Sequence, residues 1–146
     1  YSYNSPNFGS AAGQAYFAGQ TATDLVFNKS GNGYYILSAA GGVYAYGGAQ
    51  SYGSAAGQSY FTGNRAVSIA VDSADTGYWI LSSSGGIYGF GSPAAPFYGG
   101  AAGQSYFSGL AAASLAPTAD GGGYWILSTT GGVYSYGDAG YAGGGM

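Results

Sequence analysis

The sequence predicts an all-β protein made of three tandem repeats, and three observations support this. A fifteen-residue segment that begins Gly-Tyr-aromatic-Ile-Leu-Ser occurs three times, at 33–47, 77–91 and 123–137. Each copy is rich in aromatic and β-branched residues around a turn that ends in Gly-Gly, and this composition favours a β-hairpin. Successive copies start 44 and then 46 residues apart, and a period of this length is typical of repeat proteins.

The repeats define one domain over 1–146. Its parts are a leading segment and three repeats, at 1–10, 11–54, 55–100 and 101–146. The leading segment matches the end of a repeat and not its start, so it predicts a spare N-terminal strand. The chain begins with Tyr1 and not with methionine. We therefore expect either that a leader was removed or that the chain is a piece of a longer protein.

Each repeat is predicted to contain about four short antiparallel strands. The first follows an Ala-Ala-Gly-Gln connector and alternates apolar with small or polar residues, as in 66–71. A turn of Asn, Asp and Gly precedes the second strand, because these residues tolerate positive φ. The third strand follows the Gly-Gly turn with a Tyr-X-Tyr motif or a close variant of it. A weaker segment with the character of Phe-Tyr-Gly forms the predicted fourth strand.

The second strand of each repeat supplies the predicted core. Large apolar side chains occupy both of its faces, so the strand is expected to be buried on both sides. The repeat core is assigned to six residues: Tyr35, Leu37, Trp79, Leu81, Trp125 and Leu127. The aromatic members could instead be exposed and stack on sugar rings. Their Ile and Leu neighbours in a period-two strand favour the core interpretation.

The third repeat carries a resemblance to a known family. Its segment 116–139 is similar to the Gly-Tyr-Trp-Leu-Val…Asp-Gly-Gly…Phe-Gly-Asp-Ala repeats of large secreted and wall-associated actinobacterial proteins. The resemblance implies blades of the β-propeller type with little assigned chemistry. This sequence has Ala40, Ser84 and Thr130 where the family has Asp before Gly-Gly. Three blades are fewer than the four to eight that usually close a propeller. The alternatives are a β-trefoil, a β-prism, a ring shared between chains and a stacked solenoid.

The residue types that most catalytic sites need are missing. The chain has no His, Cys or Glu, which removes the usual general base, the thiol nucleophile and common zinc ligands. Its Asp residues fall in or near turns, which Asp favours. We therefore expect no enzymatic activity, no cofactor and no metal site. Two cations, Lys29 and Arg65, cannot form a phosphate-binding track, so no nucleic acid is expected. No apolar run is long enough for a membrane-spanning helix.

Low charge suggests that the protein associates with itself. Charged residues make up 5% of the chain, against about 25% in typical soluble domains, and soluble β proteins usually guard their edge strands with charges. We expect a secreted structural subunit that polymerises into an extracellular filament or surface layer. In this prediction the leading strand adds to the sheet of a neighbouring copy. The expected subunit interface comprises Tyr1, Ser2, Tyr3, Phe8, Tyr134, Tyr136 and Tyr141.

Two further expectations concern sugars. The alternative function is a propeller-like or trefoil-like module that binds cell-wall or matrix glycans through aromatic rings. Separately, Asn28-Lys29-Ser30 fits the Asn-X-Ser acceptor pattern, so Asn28 is a candidate site of glycan attachment.

Overall fold

Each repeat folds into a three-stranded antiparallel sheet in the computed structural model, which describes residues 7–140. Sheet 1 contains β1 (Ala22–Phe27), β2 (Gly33–Ser38) and β3 (Val43–Gly47). Sheet 2 contains β4 (Ala66–Val71), β5 (Gly77–Ser82) and β6 (Ile87–Gly91), and sheet 3 contains β7 (Ala112–Pro117), β8 (Gly123–Ser128) and β9 (Val133–Gly137). One 3-10 helical turn precedes each sheet, at Ala15–Phe17, Ser59–Phe61 and Ser105–Phe107. The all-β class and the three repeated units are therefore confirmed.

The Ser-X-X-Gly-Gly motif forms the hairpin that joins the second and third strands. In sheet 1 the Ser38 hydroxyl accepts the Gly42 backbone N–H at 3.0 Å, and the Ser38 N–H donates to the Gly42 carbonyl at 2.9 Å. Gly41 has a φ of 94°, a conformation that glycine adopts without steric cost. Because all three repeats keep this motif, all three hairpins have the same register.

The predicted fourth strand of each repeat is not confirmed. After β3 and β6 the chain runs on without a ladder, apart from an isolated bridge between Gly91 and Ala94. Tyrosine hydroxyls bond to its backbone instead. The Tyr78 hydroxyl accepts the Tyr52 N–H at 2.9 Å, and the Tyr124 hydroxyl accepts the Tyr98 N–H at 3.0 Å. Side-chain contacts thus fix this segment where a strand pairing was expected.

The leading segment packs on its own chain in the same manner. The Tyr34 hydroxyl accepts the Phe8 N–H at 3.0 Å and donates to the Gly9 carbonyl. The rings of Phe8 and Tyr34 lie 5.6 Å apart. Residues 7–9 thus occupy on sheet 1 the place that 51–53 and 97–99 occupy on the next two sheets. The rest of the predicted spare strand, 1–6, lies outside the described residues.

The three sheets follow one another in an open series. First strands of consecutive sheets lie side by side, β1 with β4 and β4 with β7. Among the described strands, β1 and β7 make no contact, and neither do β3 and β6. The sheets therefore approach most closely at their first strands and spread apart toward their third strands, and they form no closed barrel. Within residues 7–140, no helix has the length and apolarity needed to cross a membrane.

Candidate assembly faces

Each pair of consecutive sheets is held together by two apolar surfaces. We call the surface that packs against the following sheet the back face, and the surface that packs against the preceding sheet the front face. The back faces of sheets 1 and 2 contribute Tyr35, Leu37, Trp79 and Leu81, and all are almost completely buried. The front faces of sheets 2 and 3 contribute Ile69, Val71, Tyr78, Ile80, Leu115, Tyr124 and Ile126. Two junctions of the same design therefore form the core.

One polar contact at each junction links the first strands of the two sheets. At the first junction, Asp24 Oδ2 accepts the Ile69 N–H at 2.9 Å. At the second, Ser68 Oγ accepts the Leu115 N–H at 3.1 Å, and both residues are buried. Asp24 and Ser68 occupy equivalent positions in β1 and β4. Each acceptor satisfies a backbone donor of the next sheet, and this fixes how one sheet lies on the other.

A second polar contact links the turns that precede the second strands. Asp75 in the sheet 2 turn accepts the N–H groups of Lys29 and Ser30 at 3.0 and 3.2 Å, and the Ser30 hydroxyl at 2.9 Å. Asp75 has a φ of 60°, where the other two repeats have Gly31 and Gly121. These three bonds account for an Asp in a conformation that favours glycine.

The aromatic side chain on the back face of each second strand donates a hydrogen bond to a backbone carbonyl. The Tyr35 hydroxyl donates to the Gln50 carbonyl at 2.7 Å, and Trp79 Nε1 donates to the Pro96 carbonyl at 2.6 Å. Burial raises the pKa of Tyr35 to about 12, because the charged phenolate would lose its hydration. Burial also raises the pKa of Tyr124, on the other face of its strand, to about 12. Both phenols are therefore neutral at physiological pH.

Two faces of this type have no facing sheet in the described part of the chain, although Tyr34 on the front face of sheet 1 is buried under Phe8 and Phe27 of its own chain. On the front face of sheet 1, Leu25 is 51% exposed and Phe27 is 41% exposed, whereas their counterparts Ile69 and Val71 are buried. On the back face of sheet 3, Leu127 is 40% exposed, whereas Leu81 at the same position is fully buried. The two ends of the series thus present the two halves of the junction that occurs twice inside it.

The predicted core residues divide according to these faces. Tyr35, Leu37, Trp79 and Leu81 lie inside the two junctions. Trp125 is half-buried and Leu127 is exposed, because no described sheet covers the back face of sheet 3. The three repeats have nearly the same sequence here, so the pattern itself could not distinguish the outer repeat from the inner ones.

The predicted interface residues that the structure describes contact their own chain. The Tyr134 ring stacks on Tyr106 of the preceding connector at 5.6 Å, and the Tyr136 and Tyr106 hydroxyls share a hydrogen bond of 2.9 Å. Phe8 packs on Tyr34, as described above. The remaining four, Tyr1, Ser2, Tyr3 and Tyr141, lie outside the described residues. Sequence reasoning missed Leu25 and Phe27, whose only signal was their place in the first of three repeats.

Asn28 is buried in its turn. Its Nδ2, the atom to which a sugar would be attached, donates to Asn32 Oδ1 at 2.7 Å, and its Oδ1 accepts the Gly33 N–H at 3.1 Å. Glycan attachment would require this turn to open.

Two carboxylates meet at the turn of sheet 3. Asp120 Oδ1 and Asp138 Oδ1 lie 2.8 and 3.0 Å from the Thr118 hydroxyl. The Gly122 N–H lowers the pKa of Asp120, and the neighbouring Asp120 raises the pKa of Asp138. Both carboxylates are exposed in the described part of the chain. Residues 7–140 contain no group of three or more metal-binding side chains.

Comparison with protein-family models, curated proteins and solved structures found no match to this chain. The similarity to wall-associated repeats therefore stays an expectation from the sequence.

Proposed function

We propose that this protein is a non-enzymatic structural subunit that joins copies of itself head to tail into an extracellular filament or surface layer. One observation carries the proposal. The exposed front face of sheet 1 and the exposed back face of sheet 3 are the two halves of a junction that the chain already makes twice. A contact between two different surfaces leaves one free face of each kind on every pair of copies unless the rotation closes a ring, so it can propagate from copy to copy.

The chemistry of the two outer faces supports this use. Leu25 and Phe27 on one face, and Trp125 and Leu127 on the other, are apolar. The one charged residue in β1 and β8 is Asp24, and its Oδ2 accepts the Ile69 N–H at the first internal junction. Proteins that avoid association usually place charges or proline on such surfaces. Burying apolar area of this kind is the main driving force of protein association.

The arrangement of the sheets supports propeller-like blades over a trefoil. The first strands lie closest together and the third strands diverge, as blades do around an axis, whereas the units of a trefoil close on one another. Added copies continue the same series. If each sheet is displaced along the axis relative to the one before it, the series is a helical filament. If the sheets are only rotated about the axis, the series closes into a ring. We propose the filament.

The joint between copies lies on the sheet faces in this proposal. Donation of the leading strand is less well supported, because Phe8 and Gly9 would have to leave the Tyr34 hydroxyl, which they engage in their own chain. The extracellular location rests on composition. Low charge with 31 glycines and 17 tyrosines is typical of extracellular materials.

Electron microscopy and sedimentation of the purified protein test the proposal. The wild-type chain is expected to form filaments that lengthen with concentration. Leu127→Asp should abolish them, because the junction would bury an unpaired charge. Phe97→Ser is the matched control, since Phe97 is 67% exposed but lies off both outer faces, and repeat 1 has Ser51 at this position. Dispersed wild-type particles of 14.4 kDa at all concentrations would contradict the proposal.

A groove between repeats 2 and 3 favours glycan binding as a second candidate function. The groove has a volume of about 440 Å³ and is lined by Phe97, Tyr106 and Gln104 among other uncharged residues. Exposed aromatic rings beside a polar amide are suited to a neutral sugar. Because Ser51 replaces Phe97 in repeat 1, packing of the repeat does not require this ring.

The same variants separate the two functions. Titration calorimetry with soluble cell-wall oligosaccharides should show saturable binding to wild-type protein and to Leu127→Asp. Phe97→Ser should lose that binding and keep assembly. Absence of saturable binding to the wild-type chain would remove this second candidate.

A further inference from the structure

We infer that one copy binds the next in the register of the internal junctions, with Ser114 Oγ accepting the backbone N–H of Leu25 from the following copy. This inference rests on the proposed self-assembly and specifies its contact. It makes the assembly an uninterrupted series of sheets in which the boundary between copies resembles the boundary between repeats.

The internal junctions define the register. Position by position, Asp24, Ser68 and Ser114 are equivalent, because each directly follows the register shift at the start of its strand. The first two accept the N–H groups of Ile69 and Leu115. The residue of sheet 1 that is equivalent to these two donors is Leu25. The third junction in this progression therefore pairs Ser114 with Leu25 of another copy.

Both groups are placed to make this contact. Ser114 is exposed, whereas Ser68 at the same position is buried. Within residues 7–140 the Ser114 hydroxyl makes no hydrogen bond. The Leu25 N–H donates to Oδ1 of Asp24 in the same chain at 2.8 Å, and Oδ2 of Asp24 accepts the Ile69 N–H. In the assembled state the Leu25 N–H is shared between Asp24 and the incoming hydroxyl, as in other three-centre hydrogen bonds.

The apolar contacts agree with this register. Ile69 belongs to the same buried cluster as Tyr35 and Leu37, and Leu115 belongs to the cluster of Trp79 and Leu81. In the same register Leu25 packs among Trp125 and Leu127 of the preceding copy. In the single chain Leu25 and Leu127 are exposed and Trp125 is half-buried, so all three have surface left to bury.

Cross-linking of two single-cysteine variants tests the register. The natural chain has no cysteine, so Leu25→Cys and Ser114→Cys each introduce one thiol. The variants are mixed and oxidised with diamide, which forms one disulfide from two thiols and is itself reduced to the hydrazine. The mixture should give a linked pair of twice the 14.4 kDa chain mass, and neither variant alone should cross-link. A pair formed by one variant alone would indicate a two-fold contact and overturn the register.

Removal of the hydroxyl provides a second test. Ser114→Ala should weaken assembly roughly 2- to 10-fold, as expected for one lost hydrogen bond. Ser108→Ala removes an exposed serine of the same repeat that lies outside the outer face, and it should assemble like the wild-type protein. If wild-type filaments form but the mixture does not cross-link and Ser114→Ala assembles normally, the register is wrong and the proposed function stands. A wild-type chain that stays monomeric overturns both.

Discussion

The same substitution at two equivalent leucines separates the stability of one copy from the affinity between copies. Leu81 and Leu127 occupy the same position in sheets 2 and 3, but Leu81 is fully buried and Leu127 is 40% exposed. Leu81→Ala should destabilise the single chain by about 2–5 kcal/mol, the usual cost of such a change in a core. Full burial of a leucine side chain contributes about 1.5–3 kcal/mol. Leu127→Ala should therefore cost the single chain about 1–2 kcal/mol, because about three fifths of that burial is already made.

The remaining two fifths of the Leu127 side-chain burial should contribute to the free energy of association between copies. That fraction corresponds to about 0.6–1.2 kcal/mol, which is about 3- to 8-fold weaker association for Leu127→Ala. Urea unfolding of dilute protein measures the first effect, and sedimentation over a concentration series measures the second. The account is refuted if Leu127→Ala destabilises the single chain as much as Leu81→Ala does, or if it leaves association unchanged.

Three other predictions concern the polar contacts of the single chain. Burial raises the pKa of Tyr35 and Tyr124 to about 12, against about 10 in an unfolded chain, so the stability that this shift contributes should be complete below pH 10 and lost as pH rises through about 12. Phenolate absorbance and circular dichroism measure the titration and the folded fraction together. Titration of both phenols near pH 10 with the sheets intact would contradict their burial. Asp75→Ala should lower the free energy of unfolding in urea by about 1–3 kcal/mol, because it removes three hydrogen bonds to a carboxylate and puts alanine at a φ of 60°. Asp75→Gly loses the same bonds but should cost less, because glycine adopts this φ without strain, and the reverse order would exclude strain at this position. Tyr78→Phe should lower the thermal midpoint, because it removes the acceptor of the Tyr52 N–H, and an unchanged midpoint would show that this contact does not anchor the segment.

The sequence predicted the repeats and most of their strands because those depend on local patterns. Period-two alternation and the Gly-Gly hairpin recur in every copy, and each strand forms within its own repeat. The fourth strand was predicted from its Tyr and Gly content. The tyrosines of this segment pack instead on the next sheet, where the rings of Tyr52 and Tyr98 lie 5.8 and 5.6 Å from those of Tyr78 and Tyr124.

The candidate site could not be predicted because it depends on what covers each repeat. Leu37, Leu81 and Leu127 occur in the same local sequence, and only their neighbours in the stack differ. The Tyr-X-Tyr strands were predicted to bind another copy, yet Tyr134 and Tyr136 contact Tyr106 in the connector that precedes their own sheet. Low charge was the one global signal of association, and it carried no information about which surface is used.

A mixture of two end-blocked variants tests the two-faced contact most directly. Leu25→Asp blocks the front face of sheet 1, and Leu127→Asp blocks the back face of sheet 3, so each variant alone should sediment as a single chain of 14.4 kDa. Mixed in equal amounts, they keep one intact face of each kind and should form a complex of twice that mass and nothing larger. A mixture that remains monomeric, or a single variant that still forms filaments, would contradict the account.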